Sequence, residues 1–271
     1  MPMRFGIDLG AGILGLIVGS FANVCISRLP RRESVIGPRS RCPHCGAPLR
    51  WYDNIPLVSF FLLRGRCRTC RTRIGWRYPL VELLTAVLFV QSIGRFGVTA
   101  AGVARAEGGD VVIAVRSMVL VTLLVIVFFT DLYHYIIPNR ITYPGIAIGL
   151  LFASLQGWPA LAAAAITAAA LGGGFIFLNV LSARFLGEEG MGLGDAKLAA
   201  MIGAFLGWPM AGVAIFLGIF LGGVAGAILL ALRKKKRREH IPFGPALATG
   251  ALLAMWWGPA LLRWYENRMV G

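Results

Sequence analysis

The chain has 271 residues, of which 57% are hydrophobic and only 14% charged, with a formal net charge of +15. A mean hydropathy of +0.73 excludes an ordinary water-soluble domain. Apolar stretches of roughly 20 residues recur along most of the chain, each long enough to cross a bilayer. Lipid offers the backbone no partner outside a helix, so the expected fold class is an all-α polytopic membrane protein.

Eight spans are predicted, near 6–27, 80–97, 111–131, 142–157, 159–181, 194–208, 210–232 and 243–262. Three domains follow: a first helix (1–27), a polar segment (28–79) and a seven-helix membrane domain (80–271). Trp158, Trp208 and Trp256/Trp257 fall near proposed span ends, where interfacial aromatics are enriched. Behind the first span come Arg28, Arg31 and Arg32. That charge order is the reverse of a cleaved signal peptide, so the helix is read as retained. Cys25, inside it, reads as a small core residue.

Segment 28–79 carries four of the five cysteines, in "CPHC" and "CRTC". Cys42 with Cys45 and Cys67 with Cys70 form two CxxC pairs, the spacing that lets two knuckles complete one tetrahedron. So short a segment scarcely holds a core alone, and a bound metal would supply folding free energy. Disulfides are the competing reading, disfavoured on a reducing cytoplasmic side. Four thiolates close the shell, so the expected ion is a structural Zn²⁺, with His44 outside it. Glu82, at the start of the second span, reads as an interfacial carboxylate, with a supporting partner of a nearby site as the alternative.

Two acids stand at span ends in distinctive contexts: Asp131 in "VFFTDLYHYIIPNRITYP" and Asp195 in "EEGMGLGDAKLAA". Pro138 disfavours helix at the residue before it, so a break is expected near Ile137. His134 lies one helical turn past Asp131 and is read as loop packing. Gly192 and Gly194 let the backbone turn sharply and approach a peptide closely, and Lys197 follows two residues after Asp195. Asp195 could simply favour a helix N-terminus, and Asp131 could be solvated. Two close carboxylates could instead share a proton, one activating water and the other polarising a carbonyl, as in aspartic proteases.

The basic excess follows topology. Twelve of the 27 Lys and Arg residues lie in 28–79 and six in "RKKKRR" (233–238). With eight spans these share one side with Arg140, Arg184 and Lys197, leaving six opposite. That side is therefore cytoplasmic, both termini are outside, and both acids meet the cytoplasmic face. The polybasic run reads first as a stop signal after the seventh span, with membrane lipid as its expected partner, and no nucleic acid is needed to explain it.

Taken in order, "GSFANVCISRLP" (19–30), the two CxxC pairs, "NIPLVSFFLLRGRC" (54–67), "WRYPLVELLTA" (76–86), "TDLYHYIIPNRIT" (130–142), "GMGLGDAKLAAMIGAFLG" (190–207) and "IPFGPALATG" (241–250) closely resemble the bacterial type IV prepilin peptidase family. The resemblance runs collinearly over nearly the whole chain. It implies an aspartic endopeptidase of the GxGD class in the bacterial cytoplasmic (inner) membrane, with Asp131 and Asp195 as the catalytic pair. Its substrates would be type IV prepilins and pseudopilins of pilus or type II secretion systems, cut after a glycine that ends a basic leader. Family members with the four cysteines also N-methylate the new N-terminus using S-adenosylmethionine, although no Gly-rich nucleotide loop stands out here. A cationic face suits a basic leader poorly, so Glu33, Glu188 or Glu189 would give local relief. The alternatives are a proton-coupled transporter relaying protons through the two carboxylates, and a zinc-anchored scaffold.

Overall fold

A computed structural model describes residues 2–37, 39–96, 108–186, 192–232 and 242–269. Among these the regular structure is helical, apart from two isolated bridges, Arg41 with Pro48 and Arg66 with Arg73. The helices are α1 (Pro2–Arg28), α2 (Val58–Leu62), α3 (Arg77–Arg95), α4 (Gly108–His134), α5 (Asn139–Ser154), α6 (Trp158–Leu186), α7 (Leu193–Leu206), α8 (Met210–Ala231) and α9 (Gly244–Met269). A helix stands at each of the eight predicted positions, but among the described residues only α1, α4, α6, α8 and α9 are long and apolar enough to cross a membrane. With 16 and 14 residues, α5 and α7 reach about 24 Å and 21 Å, short of a hydrocarbon core of roughly 30 Å. The 19 residues of α3 include Arg77, Glu82 and Arg95, which lower its hydropathy. The count of eight spans is thus not carried by the helices themselves. The polybasic run 233–238 and Glu188/Glu189 lie outside the described residues.

The chain divides into two compact units, Met1–Ile126 and Val127–Gly271. In the first, α1 crosses α3 at backbone contact. A Cβ on Gly15 would lie 2.5 Å from the Ala86 Cα, and one on Gly19 would lie 2.7 Å from the Glu82 Cα. This is the GxxxG solution to helix association in lipid, where small residues let dispersion contacts replace a hydrophobic drive. Polar ties close the same end: Asn23 Nδ2 donates to the Tyr78 carbonyl (3.0 Å), and Arg77 Nη2 donates to Ser27 Oγ (2.8 Å).

In the second unit α7 is the central rod, with Ala196, Leu198, Ala199, Met201, Ile202, Gly203, Ala204 and Phe205 all buried. A Cβ on Gly203 would meet the Ala168 Cα of α6 at 2.9 Å, and one on Gly149 of α5 would meet Phe205 at 2.9 Å. Gly207, at φ +63°, adopts a backbone that favours glycine and ends α7. Helices α8 and α9 cross as closely, and a Cβ on Gly250 would strike the Ala214 carbonyl. Helix α9 runs on to Met269, past the predicted end near 262, so Trp256 and Trp257 are mid-helix and Trp256 is buried. Of the other tryptophans, Trp158 opens α6 and Trp208 lies in the α7–α8 link.

These contacts predict opposite outcomes for glycines of one chain. Gly15→Leu and Gly250→Leu should each destabilise the purified protein by about 1–3 kcal/mol or more through overpacking, read as a drop in melting temperature. Gly173→Ala, where nothing lies within 4 Å of the new Cβ, should raise stability by roughly 0.5–1 kcal/mol through helix propensity.

Candidate active site and metal centre

Asp131 occupies the last turn of α4 and is 6% exposed. Its Oδ2 accepts the backbone N–H of Gly244, at the start of α9, at 2.9 Å. A Cβ on Gly244 would lie 2.7 Å from that same oxygen, so only glycine permits the approach. The break foreseen near Ile137 comes slightly earlier. Tyr135 turns to φ +55° while its N–H donates to the Asp131 carbonyl, and Pro138 becomes the N-cap of α5. Tyr135 thus plays the part glycine usually plays past a helix end.

Asp195 is half-buried in the first turn of α7, three residues after the N-cap Gly192. The two glycines before it act through space. Gly192 has φ −70°, open to any residue, but a Cβ there would lie 3.3 Å from Asp195 Oδ2. A Cβ on Gly194 would lie 3.0 Å from the Ile137 Cβ, so the start of α7 rests on the link that follows Asp131. Lys197 strengthens that seating. Its Nζ donates to Asn139 Oδ1 at 2.8 Å and stands 5.4 Å from the centre of the Tyr143 ring. Gly192, Gly194, Asp195 and Lys197 are therefore brought to the loop and helix start that Asp131 and Pro138 define.

In the first unit the two CxxC pairs form matching knuckles. Gly46 N–H donates to the Cys42 carbonyl and Arg71 N–H to the Cys67 carbonyl, and these turn residues have φ +70° and +59°. The four Sγ atoms of Cys42, Cys45, Cys67 and Cys70 lie within 4.8 Å of one another, and Cys42 and Cys70 are 3.8 Å apart. A tetrahedral ion with bonds of about 2.3 Å to sulfur requires edges of about 3.8 Å, so the cluster can hold one metal ion. His44, exposed beside the cluster, stands outside this ligand group. Arg68, in the second knuckle, bonds Asp53 at 2.6 Å and holds that carboxyl below the usual carboxylate range.

Residues 13–96 match the family described as Bacterial Peptidase A24 N-terminal domain, and residues 118–227 match the Type IV leader peptidase family. Proteins named "Prepilin leader peptidase/N-methyltransferase" are similar over most of their length. The one from Aeromonas hydrophila is 38% identical, covering 93% of this chain and 91% of its own. That from Bacillus subtilis (strain 168) is 36% identical over 96% and 98% of the two chains. The Pseudomonas aeruginosa protein is 35% identical over 93% and 91%. The chain belongs to the type IV leader peptidase family. No solved structure matches it.

Within this leader peptidase, Glu82 is packed inside the first unit rather than solvent-exposed. It is 8% exposed, with Oε2 accepting the Leu57 N–H at 2.9 Å, because Gly19 brings α1 onto its backbone. Sequence reading assigned no part to Gly244. "IPFGP" was visible as a motif, but a backbone amide leaves no chemical signature in a sequence. Glu33 is exposed in the first unit.

Elemental analysis should find about one tightly held metal ion per chain, the capacity of one four-thiolate site. Cys42→Ser or Cys67→Ser should release it and lower the melting temperature. An ion retained by both variants would contradict a single shared site.

Proposed function

We propose that this chain is a prepilin peptidase whose catalytic pair is Asp131 and Asp195. The observation that carries the reading is the paired placement of a buried Asp131, fixed by the Gly244 amide, and an α7 first turn seated on the link after Asp131. Family membership supplies the reaction class. A backbone N–H at a helix N-terminus is a donor suited to a carboxylate oxygen, which favours Asp131 as the general base. It takes a proton from water while the water oxygen attacks the scissile carbonyl carbon. Asp195, protonated, donates a hydrogen bond to the carbonyl oxygen, and the tetrahedral species collapses with cleavage of the C–N bond and protonation of the leaving amine. Lys197 and Asn139 hold α7 in register for this geometry.

The substrates in this reading are type IV prepilins and pseudopilins, cut after glycine at the cytoplasmic face of the inner membrane. The chain crosses that membrane several times with both termini outside. Segment 28–79 is its cytoplasmic insert, and Cys42, Cys45, Cys67 and Cys70 hold a structural Zn²⁺ there. The relatives' name further supports N-methylation of the new terminus from S-adenosylmethionine. The proton-coupled transporter is not carried forward, because the family is one of peptidases.

Asp131→Asn and Asp195→Asn should each reduce cleavage of a prepilin substrate by at least about 10³-fold while leaving the melting temperature near that of the parent. Near-normal turnover by either would dismiss the pair. Gly244→Ala, displacing the Asp131 carboxylate, should reduce kcat by roughly 10- to 100-fold with little change in KM.

A further inference from the structure

Segment 28–79 holds twelve arginines against two carboxylates, Glu33 and Asp53. A divalent ion on four thiolates would add only two negative charges, so most of this basic charge has no partner within the segment. It is densest in "RGRCRTCRTR" (64–73), around the second knuckle. There Leu62, Leu63, Arg64, Arg66, Arg68 and Arg71 line a hollow of about 510 Å³. Arg68 is committed to Asp53, and among the described residues no carboxylate pairs with Arg64, Arg66 or Arg71. Guanidinium groups gathered around one hollow repel one another unless an anion enters between them. A phosphate diester fits, because the planar guanidinium donates in a fork that matches two phosphate oxygens.

The hollow adjoins an apolar surface. Leu62, on its wall, is 77% exposed, and Phe61 beside it is exposed as well. The Phe60 ring lies 5.8 Å from that of Phe61 and 5.1 Å from that of Trp76. A Cβ on Gly65, between Arg64 and Arg66, would lie 3.1 Å from the same Phe60 ring. The arginine turn and the aromatic cluster are therefore one surface. Trp76 is the N-cap of α3 and is exposed, as are Leu80, Leu83 and Val87. Spacings of four, three and four residues put these side chains on one helical stripe. Helix α3 packs against α1, which is long and apolar enough to cross a membrane, so a bare apolar stripe beside it suits acyl chains. At its end stands Trp76, an amphipathic ring of the kind enriched at the membrane–water boundary.

We infer that the hollow binds the headgroup of an anionic phospholipid from the surrounding bilayer. Arg64, Arg66 and Arg71 hold its phosphate, while Phe61, Leu62 and Trp76 meet its glycerol and upper acyl chains. The bound lipid seats the cysteine-bearing segment on the membrane surface. Apolar continuity with α3 favours a lipid over a free anion, and the unpaired arginines favour an anionic lipid over a zwitterionic one.

Native mass spectrometry of the full chain, released from micelles doped with phosphatidylglycerol or phosphatidylcholine, tests this. The combined variant Arg64→Gln/Arg66→Gln/Arg71→Gln should hold its tightest phosphatidylglycerol at least about tenfold more weakly than the parent. Arg31→Gln/Arg32→Gln/Arg39→Gln removes equal charge from the same segment and should stay within about twofold of the parent. Both keep the run 233–238, so any lipid held there is common to all three proteins. Hydrogen exchange of the parent decides the matter even if the first variant misfolds. In bilayer discs containing phosphatidylglycerol, amides of residues 60–76 should exchange at least about threefold more slowly than in phosphatidylcholine alone. Equal losses in the two variants, parental affinity in the first, or exchange indifferent to the headgroup each overturn the site. Slowing of the same amides by inorganic phosphate without lipid assigns the hollow to a free anion. A dimer that the first variant dissociates assigns the surface to a second copy. Either result overturns the lipid.

Discussion

Helices of this chain meet at backbone distance, and much else depends on that. Lipid supplies neither water to satisfy a stranded polar group nor a hydrophobic drive to push helices together. What remains is dispersion, which falls off steeply with separation and rewards a missing Cβ. Gly15 and Gly19 set α1 on α3, Gly149 and Gly203 set α5 and α6 on α7, and Gly250 sets α9 on α8. Gly244 extends the same device to a polar contact: the absent side chain admits a carboxylate to the first amide of a helix. Packing and electrostatics at Asp131 thus rest on one residue choice.

The GxGD stretch obeys the same logic. Neither glycine is there for an unusual backbone angle. Gly192 clears space for the Asp195 carboxylate, and Gly194 clears space for Ile137. Shortness matters as well. With 14 residues α7 does not reach across a bilayer, and its first turn is pinned by Lys197 to the start of α5. An acid on such a turn is held by neighbours on both sides rather than left on a loop.

The cysteine knuckles work by a different route, since segment 28–79 leaves Ile36, Trp51, Phe61, Leu62 and Trp76 exposed rather than packed into a core. Two short turns, each closed by an N–H to carbonyl bond and a residue in the left-handed region, aim four sulfurs at one point. Gly46 takes that conformation without strain, whereas Arg71 pays for it, and an ion held by the four sulfurs would offset the cost. The same segment walls a cavity that Asn23 and Glu82 line.

The helical class, the places of the helices, the CxxC pairs and the two acids were legible from residue order alone. Each depends on local quantities: hydropathy over roughly 20 residues, ligand spacing within a turn, and a proline's effect on its neighbour. The division into a first helix, a cysteine segment and a membrane domain was read the same way and stands as a proposal. Contacts between residues distant in sequence belong to the tertiary structure. It buried Glu82 by bringing Gly19 onto its backbone, left Asn23 Oδ1 without a donor, and extended α9 so that Trp256 lies within the packed helices. It also placed the Gly244 amide, 113 residues away in the chain, on Asp131. A sequence displays side-chain types, but which backbone donor meets which carboxylate is fixed only when helices touch.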